Sequence, residues 1–421
     1  MSGTDYHVRE DCRLCGARSL QRVLELPNTP LANEFVSIPV ARQDEFPLWL
    51  AACGDCGHVQ LPVVVDPERL FRDYVYVSGT SAVFRNHFRR YAESEIKQAN
   101  LSLGDFVVEI GSNDGTLLSF FRNAGMRVLG IDPAREVAGR AQYDGIETWP
   151  EFFSEEVAER IVHSHGRATH VVANNVFAHA DDLSAIVRGI KRLLEPGCDF
   201  TFEVSYLPDV LDKTLFDTIY HEHLAFHSIE PLVEFFVRHD MTVANAQKVD
   251  THGGSVRVTV ENDAYGSPTE NIAELIAHER ALGLGPNPKE AFDRFAARIA
   301  ERRDQLREVI GKLQSEGMRI AGYGAPAKAT TLLRTFDIES AICFVVDDSP
   351  YKQDKRLPGG LTPVFPSSAL ACDKSRRPEA VIILAWNFAD SILERLAQYR
   401  AEGGTVVVPL PEVRVYGPTN T

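Results

Sequence analysis

No stretch of the 421-residue chain reaches the roughly 20 consecutive apolar residues that a membrane-spanning helix needs. The N-terminus, MSGTDYHVREDC, lacks the apolar core of a secretory signal. Positive charge is scarce: 44 Lys and Arg stand against 59 Asp and Glu, a net charge of −15. That balance argues against a nucleic-acid partner, which requires a clustered basic footprint. The densest basic spots, SRRPE and AERRDQ, read as solvated faces or helix ends. Low-complexity tracts, a Walker-type lysine loop and an HExxH zinc-protease helix are all missing. What remains is a cytoplasmic protein with no membrane role that handles a small molecule. The 44% apolar and 24% charged fractions are those of a globular protein, and the length predicts two to four domains.

Of the seven cysteines, four form two pairs, Cys12-x2-Cys15 and Cys53-x2-Cys56. Each CxxCG knuckle turns two thiolates toward one centre, and two knuckles supply the four sulfurs of a closed structural zinc site. The separation of the knuckles exceeds zinc-ribbon spacing, so an insertion lies between them. His58 could replace one thiolate, and a redox CxxC is the other reading, disfavoured by the lack of a surrounding βαβ pattern. With four ligands the metal has no open position and no catalytic role. Cys198, Cys343 and Cys372 read as buried small hydrophobes.

FVVEIGSNDGTLLSFF joins an apolar strand to a helix through the pattern Glu109-x-Gly111-x3-Gly115. MRVLGIDPA gives a second strand ending in Asp132, and HVVANNVFAHADDLSAIVRGIKRLLEPG a third strand, a loop and an amphipathic helix. Strands alternating with helices predict a doubly wound parallel sheet that binds ligand at the carboxyl ends of its strands. The glycine spacing is not the dinucleotide GxGxxG. It resembles the ExGxxxG signature of class I S-adenosylmethionine-dependent methyltransferases. Glycines 111 and 115 would let the backbone approach the ligand, and Asp132 would accept the ribose hydroxyls. Phe152 and Phe153 could close over an adenine or simply fill a core.

DTIYHEHLAFHS, residues 217–228, is the densest chemical stretch. His223 and His227 are four apart, which would allow a metal pair on a helix. The favoured reading is acid–base work, because imidazole and phenol in a pocket exchange protons near neutral pH.

The CxxC pairs, VVEIGSNDG, GIDPA, ANNVFAH, YHEHL, HGGSVR and GYGAPAKA occur in this order in the sugar C-methyltransferases that act on nucleotide-linked deoxysugars, a resemblance spanning almost the whole chain. It implies S-adenosylmethionine as donor and, typically, a dTDP-4-keto-6-deoxysugar methylated at C3, in deoxysugar or antibiotic-sugar biosynthesis. By matching motif, His223 is the expected general base, Tyr220 and Glu222 complete the trio, and His179 with Tyr74 or Tyr76 lines the site. Glu109, Gly111, Asn113, Gly115, Asp132, Pro133, Asn174 and Asn175 are the expected donor contacts. Tyr76, His252, Ser255, Arg257, Tyr323, Lys328, Trp386 and Asn387 are the expected sugar-nucleotide contacts.

MTVANAQKVDTHGGSVRVTVEN reads as two strands opening a second α/β unit. A helix over 289–317 follows, its apolar positions at helical spacing. RIAGYGAPAKATTLL then repeats the strand, glycine turn and helix, AICFVVDDSP ends a strand in Asp347 and Asp348, and two further strands follow. Asp347 would serve a ribose or cap a loop, and Lys328 would add charge beside a diphosphate. Trp386 either meets the base or packs in a core. The expected architecture is α/β: a zinc-binding domain over 1–74, a Rossmann-like methyltransferase domain over 75–244, and a C-terminal Rossmann-like domain over 245–421 that binds the sugar nucleotide. A monomer or homodimer is expected. The competing readings are a zinc-containing NAD-dependent dehydrogenase of nucleotide sugars, which GYGAPAKA serves poorly, and an O- or N-methyltransferase.

Overall fold

Strand Phe106–Ile110 is buried at every position, as the middle strand of a parallel sheet covered on both faces must be. The computed structural model, which describes residues 6–37, 43–72, 79, 82–251, 253–371 and 377–418, sets it fifth in a seven-stranded sheet, in the middle of its five parallel strands. The spatial order is Thr242–Val249, Ser255–Glu261, Leu194–Ser205, Ala168–Asn174, Phe106–Ile110, Arg127–Ile131 and Thr148–Trp149. The last five are mutually parallel, and Ser255–Glu261 runs antiparallel to both of its neighbours. Phe177, Phe200, Phe202, Phe235 and Phe236 are fully buried against this sheet. Burying a side chain of that size contributes roughly 1.5–3 kcal/mol.

The hairpin 242–261, read from the sequence as opening the second α/β unit, belongs to the first sheet. It completes the first sheet rather than opening the second, with Phe202 opposite Val258 and Phe200 opposite Val260. Its inward positions Val256, Val258 and Val260 are as fully buried as those of the parallel strands.

Spatially the chain divides into two units whose limits cut across the sequential segments. The first holds Met1–Gln21, Ala51–Pro208 and Leu224–Pro288, and the second Arg22–Leu50, Asp209–His223 and Lys289–Thr421. Within the first unit, Val59–Gln60 pairs with Ala225–Phe226 and with the end of strand Phe46–Cys53. The second unit is built on a sheet ordered Val364–Phe365, Ile342–Val346, Ile320–Tyr323, Ala380–Ile383, Thr405–Val408 and Arg414–Tyr416, parallel except for the last strand. Helix Lys289–Ser315 buries Phe292, Phe295, Ile299, Leu306, Ile310 and Leu313, the stripe its sequence predicts. Gly317, at φ 76°, ends the run.

Candidate active site

The four knuckle cysteines converge. All their sulfurs lie within 4.8 Å of one another, with Cys12 Sγ 3.6 Å from Cys56 Sγ and Cys15 Sγ 3.5 Å from Cys53 Sγ. Tetrahedral zinc with bonds of about 2.3 Å requires sulfurs roughly 3.8 Å apart, so the cluster has the size of the ion. Hydrogen bonding from Cys56 holds the Cys12 thiol down to about 5, whereas burial pushes Cys15 up to about 11. His58 does not join this group: its ring packs on His227, with centroids 5.6 Å apart. Of the remaining cysteines, Cys198 is half-buried and Cys343 exposed, its thiol bonded to the Ile320 carbonyl; Cys372 lies outside the described residues.

The first glycine turn is built around Asp132. Its Oδ2 accepts the Asn113 N–H at 2.8 Å and its Oδ1 the Ala134 N–H at 2.9 Å, so Pro133 sits inside a tied loop. Burial pushes this carboxyl up, and the two backbone N–H groups oppose the push. Gly111, at φ 70°, donates to Ile131 O at 2.7 Å, and a Cβ there would lie 2.2 Å from Val176 Cγ2. Only glycine satisfies both constraints. Gly115 is also left-handed and starts helix Thr116–Asn123. Glu109 is buried, its Oε2 has no hydrogen-bond partner among the described residues, and desolvation holds its carboxyl well above the ordinary range. An orphaned buried acid beside a glycine turn is a place for a cationic or polar ligand group. On the next strand, Asn175 (φ 54°) donates to Asn174 Oδ1 and, through its backbone N–H, to Glu203 O. His179 stacks on Phe71 at 5.5 Å.

Glu203 is a hub the sequence reading missed. Its Oε1 meets His87 Nε2 at 2.9 Å and accepts from Thr251 Oγ1 at 2.9 Å, and its Oε2 accepts from Arg257 Nη2 at 3.0 Å. Burial alone would raise this carboxyl; hydrogen bonding and charge from His87, with Arg257, reverse that and hold it low. Arg257, expected to touch substrate, is instead buried on Glu203 with its guanidinium 3.7 Å from the Tyr91 ring centroid. Ser255, expected in the same role, is fully buried and donates to Thr251 O. A second buried acid, Glu95, lies 3.6 Å from Arg257 Nη1, and a buried arginine opposite two buried acids is held by them. His252, Tyr74 and Tyr76 lie outside the described residues.

The YHEHL stretch is not a helix, which removes the proposed helical metal pair. A short 3-10 turn, Phe216–Thr218, is followed by a turn and then strand Ala225–Phe226. The histidines part company. His221 donates from Nε2 to Pro47 O at 3.0 Å and packs edge-on to Phe46. In the first unit, His227 is buried with its ring near Phe177. His223 Nδ1 lies 2.7 Å from Thr218 O, and since a carbonyl only accepts, Nδ1 carries the proton and Nε2 the lone pair of the neutral ring. The Tyr220 ring lies 4.1 Å from that of His223, and Glu222 Oε1 accepts from Asn33 Nδ2 at 2.7 Å. Burial pushes His223 down to about 4, against the pull of Thr218 O, so the imidazole is neutral at pH 7.

In the second unit the plan of the first turn recurs. Gly324, at φ 84°, donates to Val346 O at 2.7 Å; Asp347 accepts Ala325 N–H at 2.6 Å and Ser349 N–H at 2.8 Å. Asp347 thus caps the loop, one of the two roles left open for it. Tyr323 ends the strand, buried, and Asn387 is half-buried one residue after Trp386. Lys328 and Trp386 face each other, the ammonium 3.7 Å from the ring centroid, and Trp386 Nε1 donates to Asp217 Oδ2 at 2.6 Å. Lys328 and Trp386, the expected diphosphate and base contacts, are thus engaged with each other and with Asp217. Asp217 and Asn33 were passed over in the sequence, although an acid inside the apolar run LFDTIY was the available signal.

Three family descriptions match in order: "Putative zinc binding domain" over 12–71, "Methyltransferase domain" over 84–247 and "C-methyltransferase C-terminal domain" over 250–411. The C-methyltransferase NovU of Streptomyces niveus is 35% identical over 416 residues, covering 98% of each chain. The chain belongs to the C-methyltransferase family. Among solved structures, magnesium protoporphyrin IX methyltransferase from Synechocystis with bound SAH covers 43% of this chain and 87% of its own, at 15% identity and a TM-score of 0.34. A Haloferax volcanii methyltransferase in complex with the Trm112 activator covers 43% and 95%, at 17% identity and a TM-score of 0.34. A C-methyltransferase of this family uses S-adenosylmethionine. The Gly111–Gly115 turn, Asp132 and the orphaned Glu109 acid fit that molecule, and the four sulfurs fit zinc. No helix among the described residues is long and apolar enough to cross a membrane.

Proposed function

We propose that this C-methyltransferase acts on a nucleotide-linked 4-keto-6-deoxysugar, typically dTDP-linked and methylated at C3, with His223 as the general base. It would serve deoxysugar or antibiotic-sugar biosynthesis in the cytoplasm, as a monomer or homodimer. The observation that carries the reading is the fixed tautomer of His223: a neutral ring with Nδ1 tied to Thr218 O and its lone pair at Nε2. A C–H beside a ketone is acidic enough for a side-chain base when the forming enolate is stabilised. Oxygen or nitrogen methylation needs less activation than carbon methylation, so the arrangement somewhat favours carbon.

The residues divide the work. His223 Nε2 accepts the C3 proton, and the C–H electron pair passes into the enolate. The Tyr220 hydroxyl hydrogen-bonds the enolate oxygen, while Glu222, held by Asn33, orients the sugar. S-adenosylmethionine supplies an electrophilic methyl group on a sulfonium. On the donor side, the Gly111 turn and Asp132 would fix the nucleoside, with Asn113, Gly115, Asn174 and Asn175 shaping the turn.

The test is incubation with methyl-labelled donor and a panel of 4-keto nucleotide sugars, with the label located by NMR. Label on a ring carbon beside the ketone is expected; label on oxygen or nitrogen would overturn the reading. His223→Asn should lower turnover about 10²–10⁴-fold while donor affinity stays within twofold. Full turnover in that variant would remove His223 as the base.

A further inference from the structure

We propose that Asp217, Lys328 and Trp386 form a buried charged clip that positions His223 for proton abstraction; this rests on His223 being the base. Besides the ties of His221 to Pro47 O and of Glu222 to Asn33, the segment bearing His223 is held at three consecutive residues. The Asp217 carboxylate accepts from Trp386 Nε1 at 2.6 Å. Thr218 supplies the carbonyl that holds His223 Nδ1 at 2.7 Å, and its own hydroxyl donates to Leu215 O. Ile219 O accepts from Thr331 Oγ1 at 2.8 Å. Two of the three anchors therefore come from the second glycine-turn system: Thr331 lies on helix Lys328–Phe336, and Trp386 follows strand Ala380–Ile383. Phe216 adds an apolar contact to Phe336 on the same helix, at 4.9 Å between ring centroids.

The charges make the clip specific. Asp217 is fully buried, and a carboxylate there is stable only with a compensating cation. Lys328, the first residue of that helix, is buried and supplies it, its ammonium seated on the Trp386 face whose indole N–H points at the acid. The indole thus couples cation to anion through its π face and its N–H edge. Burial pushes Lys328 down to about 8, and Asp217 opposes that push. Uncharging Lys328 strands the Asp217 carboxylate in a dry site. Asp217 must then take up a proton or draw in water, and its neighbour Thr218, on which the imidazole hangs, moves with it. Lys328 touches no reacting atom in this account; it is a positioning residue.

The experiment measures proton abstraction by itself. Full-length protein is incubated in D2O with a 4-keto nucleotide sugar and S-adenosylhomocysteine in place of donor, and deuterium entering beside the ketone is followed by NMR. Steady-state kcat and KM, donor binding by calorimetry and thermal unfolding are measured in parallel. Lys328→Met should slow exchange and kcat at least tenfold, with KM within threefold and donor affinity within twofold. Asp217→Asn/Lys328→Met, with no stranded charge and the indole hydrogen bond retained, should return to within about threefold of wild type. Trp386→Phe keeps the aromatic face, removes only the N–H, and should slow exchange severalfold; it keeps the question answerable if Lys328→Met fails to fold. Exchange at the wild-type rate in Lys328→Met or Trp386→Phe overturns the clip while the base assignment stands, provided His223→Asn abolishes exchange. A rise in KM alone in Lys328→Met overturns it in favour of substrate binding. Exchange that survives in His223→Asn overturns the base and the clip together.

Discussion

The two glycine turns are the same piece of backbone with different contents. Each has a left-handed glycine after its first strand, Gly111 or Gly324, donating to the end of the neighbouring strand, and each has an acid, Asp132 or Asp347, clasping two backbone N–H groups. Around the first turn the buried groups are acidic, Glu109 and Asp132. Around the second they are cationic: Lys328 lies on Trp386, and Lys352 donates to Ala325 O at 2.9 Å. The fold fixes where a turn can present backbone to a ligand; the side chains around it decide whether it does so or is used to hold the protein's own chain. The first turn has the chemistry of a site and the second, at Lys328, that of a fastening.

Acid should separate the two units most strongly. His221 and His223 in the second unit and His227 in the first are pushed down to about 4 by burial. A group whose folded pKa is depressed below its unfolded value binds fewer protons when folded. For an imidazole that is neutral when folded, full stability exists above about pH 6.5 and is lost as pH falls from there toward 4, by up to roughly 3 kcal/mol per ring. The first unit carries a second liability, because its zinc thiolates protonate in the same direction and release the metal. Segment-resolved hydrogen exchange from pH 7 to pH 5 should therefore show protection failing around residues 53–65 before strand Ile320–Tyr323. The reverse order would mean the imidazoles outweigh the metal. Replacing His221 with Gln should flatten the acid loss of the second unit by about one proton.

Next in size are matched glycine substitutions. Gly111→Ala puts a Cβ 2.2 Å from Val176 Cγ2, and Gly324→Ala puts one 2.4 Å from Ala385 Cβ, both at positive φ. Each should cost about 2–4 kcal/mol of stability. Only Gly111→Ala should also abolish measurable donor binding by calorimetry. Equal donor loss in both variants would erase the functional distinction between the turns.

Much of this was legible in the sequence because it is written in local pattern. Two CxxCG knuckles, ExGxxxG before an acid-terminated strand, and the repeat at GYGAPAKA each specify backbone geometry within about 30 residues. Partners distant in sequence were not legible. Nothing near Arg257 signals that Glu203 and Tyr91 will claim it, and nothing near Lys328 points back to Asp217. The sequence therefore shows that a charged residue is there, and not which buried partner it meets. The hairpin 242–261 was misplaced for a related reason: alternation reveals that strands exist, not which sheet has an edge for them.

The acids offer a gentler comparison. Asn at 132 or 347 can accept only one of its two backbone N–H groups well, so each should cost about 1–2 kcal/mol. If Asp132 holds the donor's ribose as proposed, donor affinity should fall roughly tenfold in Asp132→Asn and stay within twofold in Asp347→Asn.

The smallest effect is expected from Lys352→Met. The ammonium donates to Ala325 O, lies 4.0 Å from Asp347 Oδ2 and 5.7 Å from the Phe35 ring centroid, and burial pushes its pKa down. Asp347 retains its two N–H donors when the lysine is removed, so no stranded polar group remains except one carbonyl. Methionine keeps most of the packing on Phe35. Stability should fall by about 1 kcal/mol, read from the denaturation midpoint at unchanged slope, and kcat, KM and donor affinity should all stay within twofold. That outcome makes Lys352 the internal lock of the second turn. A severalfold rise in KM would instead show that this cation is shared with a bound substrate, and the second turn would then be a site after all, recruited through Lys352 and not through Lys328.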